Sequence, residues 1–287
     1  MANLKEIRNR IASVSSTMQI TSAMKMVSAA KLKKAQDAIT AMRPYASTLT
    51  ELIQNLSGAL EGDSQNPYTE VREKRTVLIV AITSNRGLCG AFNANIIKKT
   101  RQLMAEDYAN QKVSLMTIGK KGSEILAKTN QVVSSHDALF DELTYNNVGE
   151  IAQQVMDQFA EKAYDEVVLV YNRFKNAATQ IVETEPFLPI VAESTTEAAS
   201  SIDYIFEPSQ EEIVNELLPK SLKMQFFKAL RDSFASEHGA RMTAMHKATD
   251  NATELRDQLK LTYNKARQAA ITNEILEIVG GAEALNG

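Results

Sequence analysis

The sequence has no tryptophan, only one cysteine and no apolar run long enough to cross a membrane. The single cysteine, Cys89, cannot form an internal disulfide, so a reducing compartment is expected. Because a membrane-spanning helix needs about eighteen or more apolar residues, any attachment to a membrane should come through partner proteins. The N-terminus also lacks the pattern of a secretory signal or an organellar leader, which favours a bacterial cytoplasmic protein.

Proline and glycine are nearly absent from the C-terminal part of the chain. Residues 209–279 contain only Pro219 and Gly239, and at about 1.5 Å per residue a helix of this length would measure ~100 Å. Small or apolar residues recur there at spacings of three and four, which is the period of a helix that supercoils with a partner. Starting from Met245, these residues are Ala248, Ala252, Leu255, Leu259, Thr262, Ala266 and Ala269.

The N-terminal residues carry the same heptad pattern, and only Thr21, Lys25 and Ser28 interrupt it. Its apolar positions are Leu4, Ile7, Ile11, Val14 and Met18, then Leu32, Ala35, Ile39, Met42, Ala46, Leu49, Ile53 and Leu56. We therefore predict a long antiparallel coiled coil formed by an N-terminal helix, 1–57, and a C-terminal helix, 209–287. Met24 and Met26, which flank Lys25, should partly face away from the companion helix.

Local signals refine these two helices. Capping boxes predict their starts, with Asn3 and Glu6 at one and Ser209 and Glu212 at the other. Proline removes an amide donor and clashes with the preceding turn. Pro44 and Pro219 should therefore each kink their helix or make it restart.

Residues 74–192 alternate between strand and helix patterns, which predicts a Rossmann-like α/β domain with parallel pairing. The predicted strands are Thr76–Thr83, Val113–Ile118, Gln131–Ser134, Glu166–Tyr171 and Gln180–Val191, and the predicted helices are Phe92–Glu106, Ser123–Lys128 and Val148–Tyr164. The last strand should lie at an edge, because Pro186 and Pro189 cannot donate to a ladder. The fold class is thus α/β, with the coiled coil added to the central domain.

Nothing in the sequence indicates catalysis or a bound cofactor. Ser84–Gly90 lies where an α/β sheet would bind a ligand, but its glycines lack the G-x-G-x-x-G spacing and favour a tight turn. Gly119–Ser123 likewise lacks the first glycine of a P-loop. His238 and His246 are eight residues apart, whereas two ligands of one metal would lie four apart on a helix. Cys89 and His136 are also present, but they form no motif of a catalytic or metal site. We therefore expect no catalytic, cofactor or metal site.

The two predicted helices differ in length. If they run antiparallel from a shared base, residue 1 lies level with a residue between 267 and 276, so the C-terminal helix outruns its partner. The residues past that point include an apolar arc of about 160°, which is wider than a two-helix seam requires. It comprises Ile271, Ile275, Leu276, Ile278 and Val279. Such an unpartnered tip implies a socket on another protein.

Several stretches across the chain resemble the gamma subunits of bacterial F-type ATP synthases. They are Ile7-Arg8, Ile20–Val27, SNRGLCGAFN (Ser84–Asn93), YIFEP (Tyr204–Pro208), SEHGARMTAM from Ser236, ATDNA from Ala248, and Tyr263–Leu285. The loop usually reads Ser-Asp-Arg-Gly-Leu-Cys-Gly, so Asn85 replaces an acid. The cysteine-bearing insertion of the chloroplast relatives is missing, so thiol regulation is not expected.

The resemblance implies a rotor shaft that couples proton flow to ATP synthesis or hydrolysis at the beta subunits and has no catalytic site of its own. The implied partners are the ring of alpha and beta subunits, the epsilon subunit and the membrane c-ring, at the cytoplasmic face of the bacterial plasma membrane. The implied site residues fall into three groups. Contacts to beta would come from Met24, Lys25, Arg267, Gln268, Thr272 and Glu274, the bearing tip from Ile271, Ile275 and Ile278, and a foot near the c-ring from Tyr204 and Glu207.

Two other classes of protein stay open at this stage. A dinucleotide-dependent enzyme would need the loop Ser84–Gly90 to bind nucleotide. A coiled-coil adaptor or nucleic-acid-binding arm would need the locally basic first helix to bind a polyanion, although the net charge of −3 argues against general nucleic-acid binding.

Overall fold

The computed structural model describes residues 4–60, 67–190 and 210–286. The elements in chain order are α1 (Leu4–Leu60), β1 (Thr76–Ile82), α2 (Phe92–Ala105), β2 (Lys112–Ile118), α3 (Lys120–Leu126), β3 (Val132–Ser135), a 3-10 turn (Asp137–Phe140), α4 (Tyr145–Ala160), β4 (Glu166–Phe174), β5 (Gln180–Leu188) and α5 (Gln210–Asn286). Every strand and helix expected from the sequence is present. The 3-10 turn was not expected.

The chain divides into two compact units. Unit 1 comprises Met1–Ser28 and Met242–Gly287, and unit 2 comprises Ala29–Arg241. Both long helices contribute residues to both units. The boundaries predicted from the sequence, 1–57, 74–192 and 209–287, stay a prediction. None of the described helices is long and apolar enough to span a membrane.

Unit 2 is built on a five-stranded sheet with the strand order β3-β2-β1-β4-β5. β1 pairs in parallel with β2 and β4, β2 pairs in parallel with β3, and β5 runs antiparallel to β4. The edge position predicted for the last strand is therefore confirmed. Pro186 of β5 pairs with Val168 of β4. Proline is tolerated in β5 because one side of an edge strand has no neighbouring strand to which its amides must donate.

The two faces of the sheet form separate apolar cores, because successive side chains of a strand point to opposite faces. In β1, Leu78, Val80 and Ile82 pack with α4 and with part of α5. The alternate residues Val77 and Ile79 pack with α2 and with Leu126 of α3. A strand covered on both sides needs a continuous apolar run, which is the pattern that predicted β1 from the sequence.

Within unit 2, α5 is a core helix over several turns. Leu222, Phe226 and Leu230 are buried, and Phe226 meets Phe187 of β5 edge to face at 5.4 Å between ring centroids. Gly239 allows a close approach, since a Cβ there would lie 3.2 Å from the backbone of Ala177 in the turn between β4 and β5. This part of α5 therefore packs more tightly than a surface helix.

Unit 1 is an antiparallel helix pair with a constant register. Arg8 Nη2 donates to the Tyr263 hydroxyl at 2.7 Å, and ten residues further along each helix Thr253 Oγ1 donates to Met18 Sδ at 3.3 Å. The Thr249 hydroxyl then donates to that of Thr21 at 2.8 Å. These contacts show that the two polar helix faces meet directly.

The apolar phase predicted for α1 is confirmed at ten positions. Ile7, Leu32, Ala35, Ile39 and Leu49 are buried, and Leu4, Ile11, Val14, Met18 and Met42 are partly buried. The side chains of Ala46, Ile53 and Leu56 lie outside the described part of the structure. The phase predicted for the C-terminal helix is only half right. Met245 and Ala252 are buried and Leu259 and Ala266 are partly buried, as expected. In contrast, Leu255 and Thr262 are exposed, while Arg256 and Tyr263 lie on the seam. Polar groups on α1, including Arg8, select polar partners on α5, which a search for apolar residues misses.

Neither predicted helix restarts at its proline, so that alternative is wrong. Pro44 lies inside α1 and Pro219 inside α5, and each helix continues through its proline. The predicted capping residues Asn3 and Ser209 lie outside the described residues. Leu4 and Gln210, which follow them, are the first described residues of the two helices.

Candidate functional site

A sheet of this strand order would bind a nucleotide at the carboxyl ends of β1 and β4, where the strand order reverses. Beside that point, the space between the end of β1 and α3 is filled by the protein itself. Thr83 Oγ1 accepts from the Gly122 amide at 2.8 Å and donates to the Gly119 carbonyl at 3.0 Å. A Cβ on Gly122 would lie 2.7 Å from Thr83 Oγ1, and Gly119 has a φ of +99°. This contact leaves no space between β1 and α3 for a phosphate group.

The loop Ser84–Gly90 is a compact turn, as the sequence predicted. Leu88 and Gly90 both have positive φ values, of 61° and 60°. The Asn93 side chain accepts from the Ser84 amide at 2.9 Å and donates to Ser84 Oγ at 2.8 Å, which ties the loop to the start of α2. The amide and the hydroxyl of Ser84 are thus both used within the chain.

Asn85 has a role that an aspartate could not fill in this arrangement. Its Nδ2 donates to the Asp137 carbonyl at 2.6 Å, and its Oδ1 accepts from the Lys120 amide at 3.0 Å. A carboxylate could accept the second bond but could not donate the first. Asn85 therefore joins the loop to both α3 and the 3-10 turn.

Arg241 of α5 holds the loop from the other side. Its Nη2 donates to the Arg86 carbonyl at 2.9 Å and its Nε to the Gly87 carbonyl at 3.3 Å. Nη1 forms an ion pair with Glu237 at 2.6 Å, and both side chains are more than nine-tenths buried. Arg241 therefore connects α5 to the loop through a buried charge.

The groups around Arg241 have shifted pKa values. Burial raises the pKa of the Glu237 carboxyl, and the attraction of Arg241 opposes this shift. Burial, with Arg241 and Lys31 nearby, lowers the pKa of His238 to about 3, so this imidazole is neutral. The cluster carries one buried ion pair beside a neutral ring.

The sequence analysis missed Arg241 because a single arginine in a long helix forms no motif. One signal was available in the sequence: Arg241 lies four residues after an acid and within a run of small and apolar residues.

Cys89 and the histidines show no arrangement suited to catalysis. Burial raises the pKa of the Cys89 thiol, and Asn93 Nδ2 donates to its sulfur at 3.3 Å. Within residues 4–60, 67–190 and 210–286, no group of three His, Cys, Asp or Glu side chains could hold a metal ion. His136 lies before the 3-10 turn, while His238 and His246 lie on α5 in different units.

Met24 and Lys25 lie in the polar part of the α1 seam, and both are half-buried. Lys25 Nζ is 3.4 Å from His246 Nδ1 on α5. On the opposite side of α1, the neighbouring apolar residues are largely exposed, at 59% for Ile20, 64% for Met26 and 58% for Val27. The expectation that Met26 faces away from the companion helix is confirmed, and the apolar surface beside it has no cover within unit 1.

The tip of α5 has no companion helix in the described structure. Continuing the register of the Arg8–Tyr263 contact, Leu4 is level with about residue 267, which agrees with the length mismatch predicted from the sequence. All residues from Arg267 to Ala282 are exposed. The polar candidates among them are Arg267, Gln268, Thr272 and Glu274, and the apolar candidates are Ile271, Ile275 and Ile278, with Leu276 and Val279 beside them. The remaining candidates, Tyr204 and Glu207, lie outside the described residues.

Comparison with known proteins gives concordant results. The family model described as ATP synthase matches residues 3–285. The ATP synthase gamma chain of Flavobacterium johnsoniae is 69% identical over 287 residues, covering 100% of both chains. A chain in the central stalk/c-ring structure of Tetrahymena thermophila mitochondrial ATP synthase matches with a TM-score of 0.63 and 28% identity, covering 80% of this chain and 99% of that one. A chain in the OSCP/F1/c-ring structure of the Euglena gracilis enzyme has a TM-score of 0.71, covers 98% of this chain and 94% of that one and, at 24% identity, supports the fold.

Proposed function

This chain belongs to the ATP synthase gamma chain family, and on that premise we propose that its helix pair works as the shaft that couples proton flow to chemistry at the beta subunits. A gamma chain is the central-stalk subunit of the F-type complex and is not itself catalytic. The structures with a similar fold are described as parts of a central stalk with a c-ring and of an F1/c-ring assembly, which supports a catalytic ring and a c-ring as partners here too.

The observation that carries the proposal is the uncovered tip of α5. Ile271, Ile275 and Ile278 are between 49% and 66% exposed, although they lie on one apolar stripe of a continuous helix. An apolar stripe on a helix normally packs against another element, and large exposed apolar patches mark interaction sites. The stripe therefore fits an apolar bearing in the catalytic ring.

The polar side chains beside the stripe suit contacts that change with rotor angle. Gln268 and Thr272 lie one turn apart, and the Thr272 hydroxyl donates to the Gln268 carbonyl at 3.0 Å. A partner can shift a conformational equilibrium only by binding its states with different affinity. Arg267, Gln268, Thr272 and Glu274 are proposed to provide that difference at the beta subunits. The filled space between Thr83 and α3 gives no support to nucleotide binding by this chain.

The experiment is co-purification of the tagged chain from cells that make the alpha and beta subunits of the same organism. We expect both subunits to copurify and to hydrolyse ATP. Recovery of the chain alone, together with calorimetric binding of ATP or NAD, would favour an enzyme instead. Recovery with nucleic acid that is released by salt would favour the basic-arm alternative.

A lysine in place of Met24 should impair coupling more than assembly. Met24 is half-buried beside Lys25 and close to the exposed apolar side of α1, so a new ammonium would lie where the shaft must slide past the ring. It could form an ion pair at one rotor angle and not at the others, which would bias the cycle. Proton pumping per ATP hydrolysed, measured in reconstituted vesicles, should fall while complex yield stays normal. Met24→Leu is the matched control, and normal pumping stoichiometry in Met24→Lys would contradict the proposal.

The base of the rotor is proposed from the sequence resemblance. Tyr204 and Glu207, in the YIFEP segment, should lie near the c-ring loops. The epsilon subunit and the cytoplasmic face of the bacterial plasma membrane belong to the same proposal. Cysteines placed at 204 or 207 should crosslink to subunit c, whereas efficient crosslinking to beta would reject the placement.

A further inference from the structure

Part of α5 lies at the point where the order of the strands reverses. In the sheet β3-β2-β1-β4-β5 that point lies between the carboxyl ends of β1 and β4, where a doubly wound sheet ordinarily holds its ligand. The loop Ser84–Gly90 follows β1, and the turn that contains Ala177 follows β4. Consecutive residues of α5 contact both of these connections, so the helix runs through the ligand crevice of the sheet.

Gly239 and Ala240 touch opposite sides of this crevice. A Cβ on Gly239 would lie 3.2 Å from the backbone of Ala177, on the side of β4. Ala240 packs in a buried cluster with Cys89 of the loop and with Phe92, the first residue of α2, on the side of β1. The small size of both residues lets the helix come this close, and α5 therefore occupies the space that a ligand would fill.

Arg241, the next residue, places a guanidinium against the loop after β1, and each of its three nitrogens has an acceptor. Nη2 donates to the carbonyls of Arg86 and Gly87 at 2.9 and 3.3 Å, and Nε donates to that of Gly87 at 3.3 Å. Nη1 forms the ion pair with Glu237 and is also 3.4 Å from His238 Nδ1. These contacts use the whole fork of donors that a guanidinium offers.

The acceptors in the crevice suit a planar cation and do not suit a phosphate. A phosphate site presents backbone amide hydrogens, whereas this crevice presents two carbonyl oxygens and the carboxylate of Glu237. A guanidinium offers several donors in one plane and accepts nothing. An ammonium is a compact point charge that lacks this fork. The crevice is therefore matched to the shape of a guanidinium as well as to its charge.

We propose that this crevice is a guanidinium-binding site whose ligand is Arg241 of the same chain. The side chain takes the place of an external ligand, so α5 is fastened to the sheet by a bound group and the crevice is closed to small molecules. The site lies within unit 2 and is complete without a partner, so it does not depend on the proposed function. Removal of the tethered ligand should leave a site that accepts a free one.

Arg241→Ala in the full chain should therefore be stabilised by free guanidinium. Thermal unfolding is followed by circular dichroism with guanidinium chloride added up to about 50 mM. An ion this small should bind with a dissociation constant of roughly 1 to 20 mM. Binding to the folded state alone should then raise the thermal midpoint of the variant by about 2 to 6 °C. The wild type should show no such rise, because its site is already filled.

Three controls distinguish binding in the crevice from general effects of the additive. Ammonium chloride supplies a cation without the planar fork, and urea supplies a planar shape without the charge, so neither should stabilise Arg241→Ala. The double variant Glu237→Gln with Arg241→Ala keeps both carbonyls and loses the carboxylate. Guanidinium should raise its midpoint at most about half as much, since charge-assisted hydrogen bonds are roughly twice as strong as neutral ones.

Equal stabilisation of the single and the double variant by guanidinium, or equal stabilisation of Arg241→Ala by ammonium, would overturn the proposal. If Arg241→Ala does not fold by itself, guanidinium should restore a cooperative unfolding transition, and failure to do so counts against the site. Arg241→Lys gives an independent reading, because it keeps the charge and loses the fork. Its midpoint should lie at least about 4 °C below that of the wild type. A wild-type midpoint in Arg241→Lys would show that any cation suffices and that the crevice is not built for a guanidinium.

Discussion

Replacing Arg241 with methionine should lower the free energy of unfolding of the full chain by about 3 to 5 kcal/mol near neutral pH, because it leaves a buried carboxylate without its partner. Arg241 and Glu237 are 2.6 Å apart, and both side chains are more than nine-tenths buried. The hydrogen bonds to the carbonyls of Arg86 and Gly87 are lost as well. Arg86 and Gly87 are exposed, so water can bind their carbonyls and replace most of the stabilisation that these hydrogen bonds provide.

The loss should become smaller as the pH falls. Burial already raises the pKa of Glu237 in the wild type, and Arg241 is the attraction that opposes the shift. Without Arg241 the folded-state pKa rises further above that of the unfolded chain. A carboxyl group with a raised folded-state pKa favours the folded state at low pH and penalises it as the pH rises through that pKa. The variant should therefore be closest to wild type in acid.

Denaturant unfolding at about pH 7 and about pH 5 measures both effects. The matched control is the double variant Glu237→Gln with Arg241→Met, in which no unpaired charge is buried. It should recover at least half of the loss at neutral pH and show little of the pH dependence. If the single and the double variant have the same free energy of unfolding, the charge pair is not what stabilises this part of unit 2.

Truncation of the apolar stripe at the tip should weaken assembly and leave turnover unchanged. Ile275 is 54% exposed in the chain alone, and the proposed bearing would bury the rest of it. Ile275→Ala should then cost roughly 1 to 3 kcal/mol of assembly, as the burial of such a side chain usually does. That corresponds to about a 5-fold to 150-fold weaker association. Complexes that do form should hydrolyse ATP at the normal rate.

Gln268→Leu should give the reverse result, normal assembly with reduced turnover, because Gln268 belongs to the polar group proposed to contact beta. Val133→Ala, at an exposed apolar position on β3 in unit 2, controls for a general loss of apolar surface. Complex yield and ATP hydrolysis per complex are measured for all three variants. Wild-type yield from Ile275→Ala would show that the tip is not held by its apolar stripe.

The elements of unit 2 could be predicted from the sequence because each leaves a local pattern. β1 and β4 are buried on both sides and therefore read as continuous apolar runs, and Pro186 excludes β5 from the middle of the sheet. What could not be predicted were contacts between residues far apart in the chain. The bonds from Arg241 to the loop at residues 86 and 87 depend on how α5 packs, and no spacing in the sequence records that.

The candidate site was predictable to a similar extent. The overhang of α5 follows from helix lengths, so the tip residues could be named in advance. The seam was harder, because two long side chains, Arg256 and Tyr263, occupy positions that the heptad assigned to Leu255 and Thr262. Arg256 Nη1 donates to Met18 Sδ at 3.5 Å, so the guanidinium of an arginine lies on the seam where a leucine was expected. When the partner surface is itself polar, hydrophobicity alone cannot show which of two neighbouring residues faces the seam.

The fixed pairing of the two helices also limits how this part of the gene can change in length. Thr21 meets Thr249 and Arg8 meets Tyr263, so each partner is specified by a particular side chain and not by interchangeable apolar residues. Inserting one residue between Arg8 and Thr21 would turn everything on one side of it by about 100° and separate every later pair. A compensating insertion would be needed at the matching place more than two hundred codons away. Insertions and deletions should therefore survive mainly outside the paired stretch, where a change in length needs no second mutation.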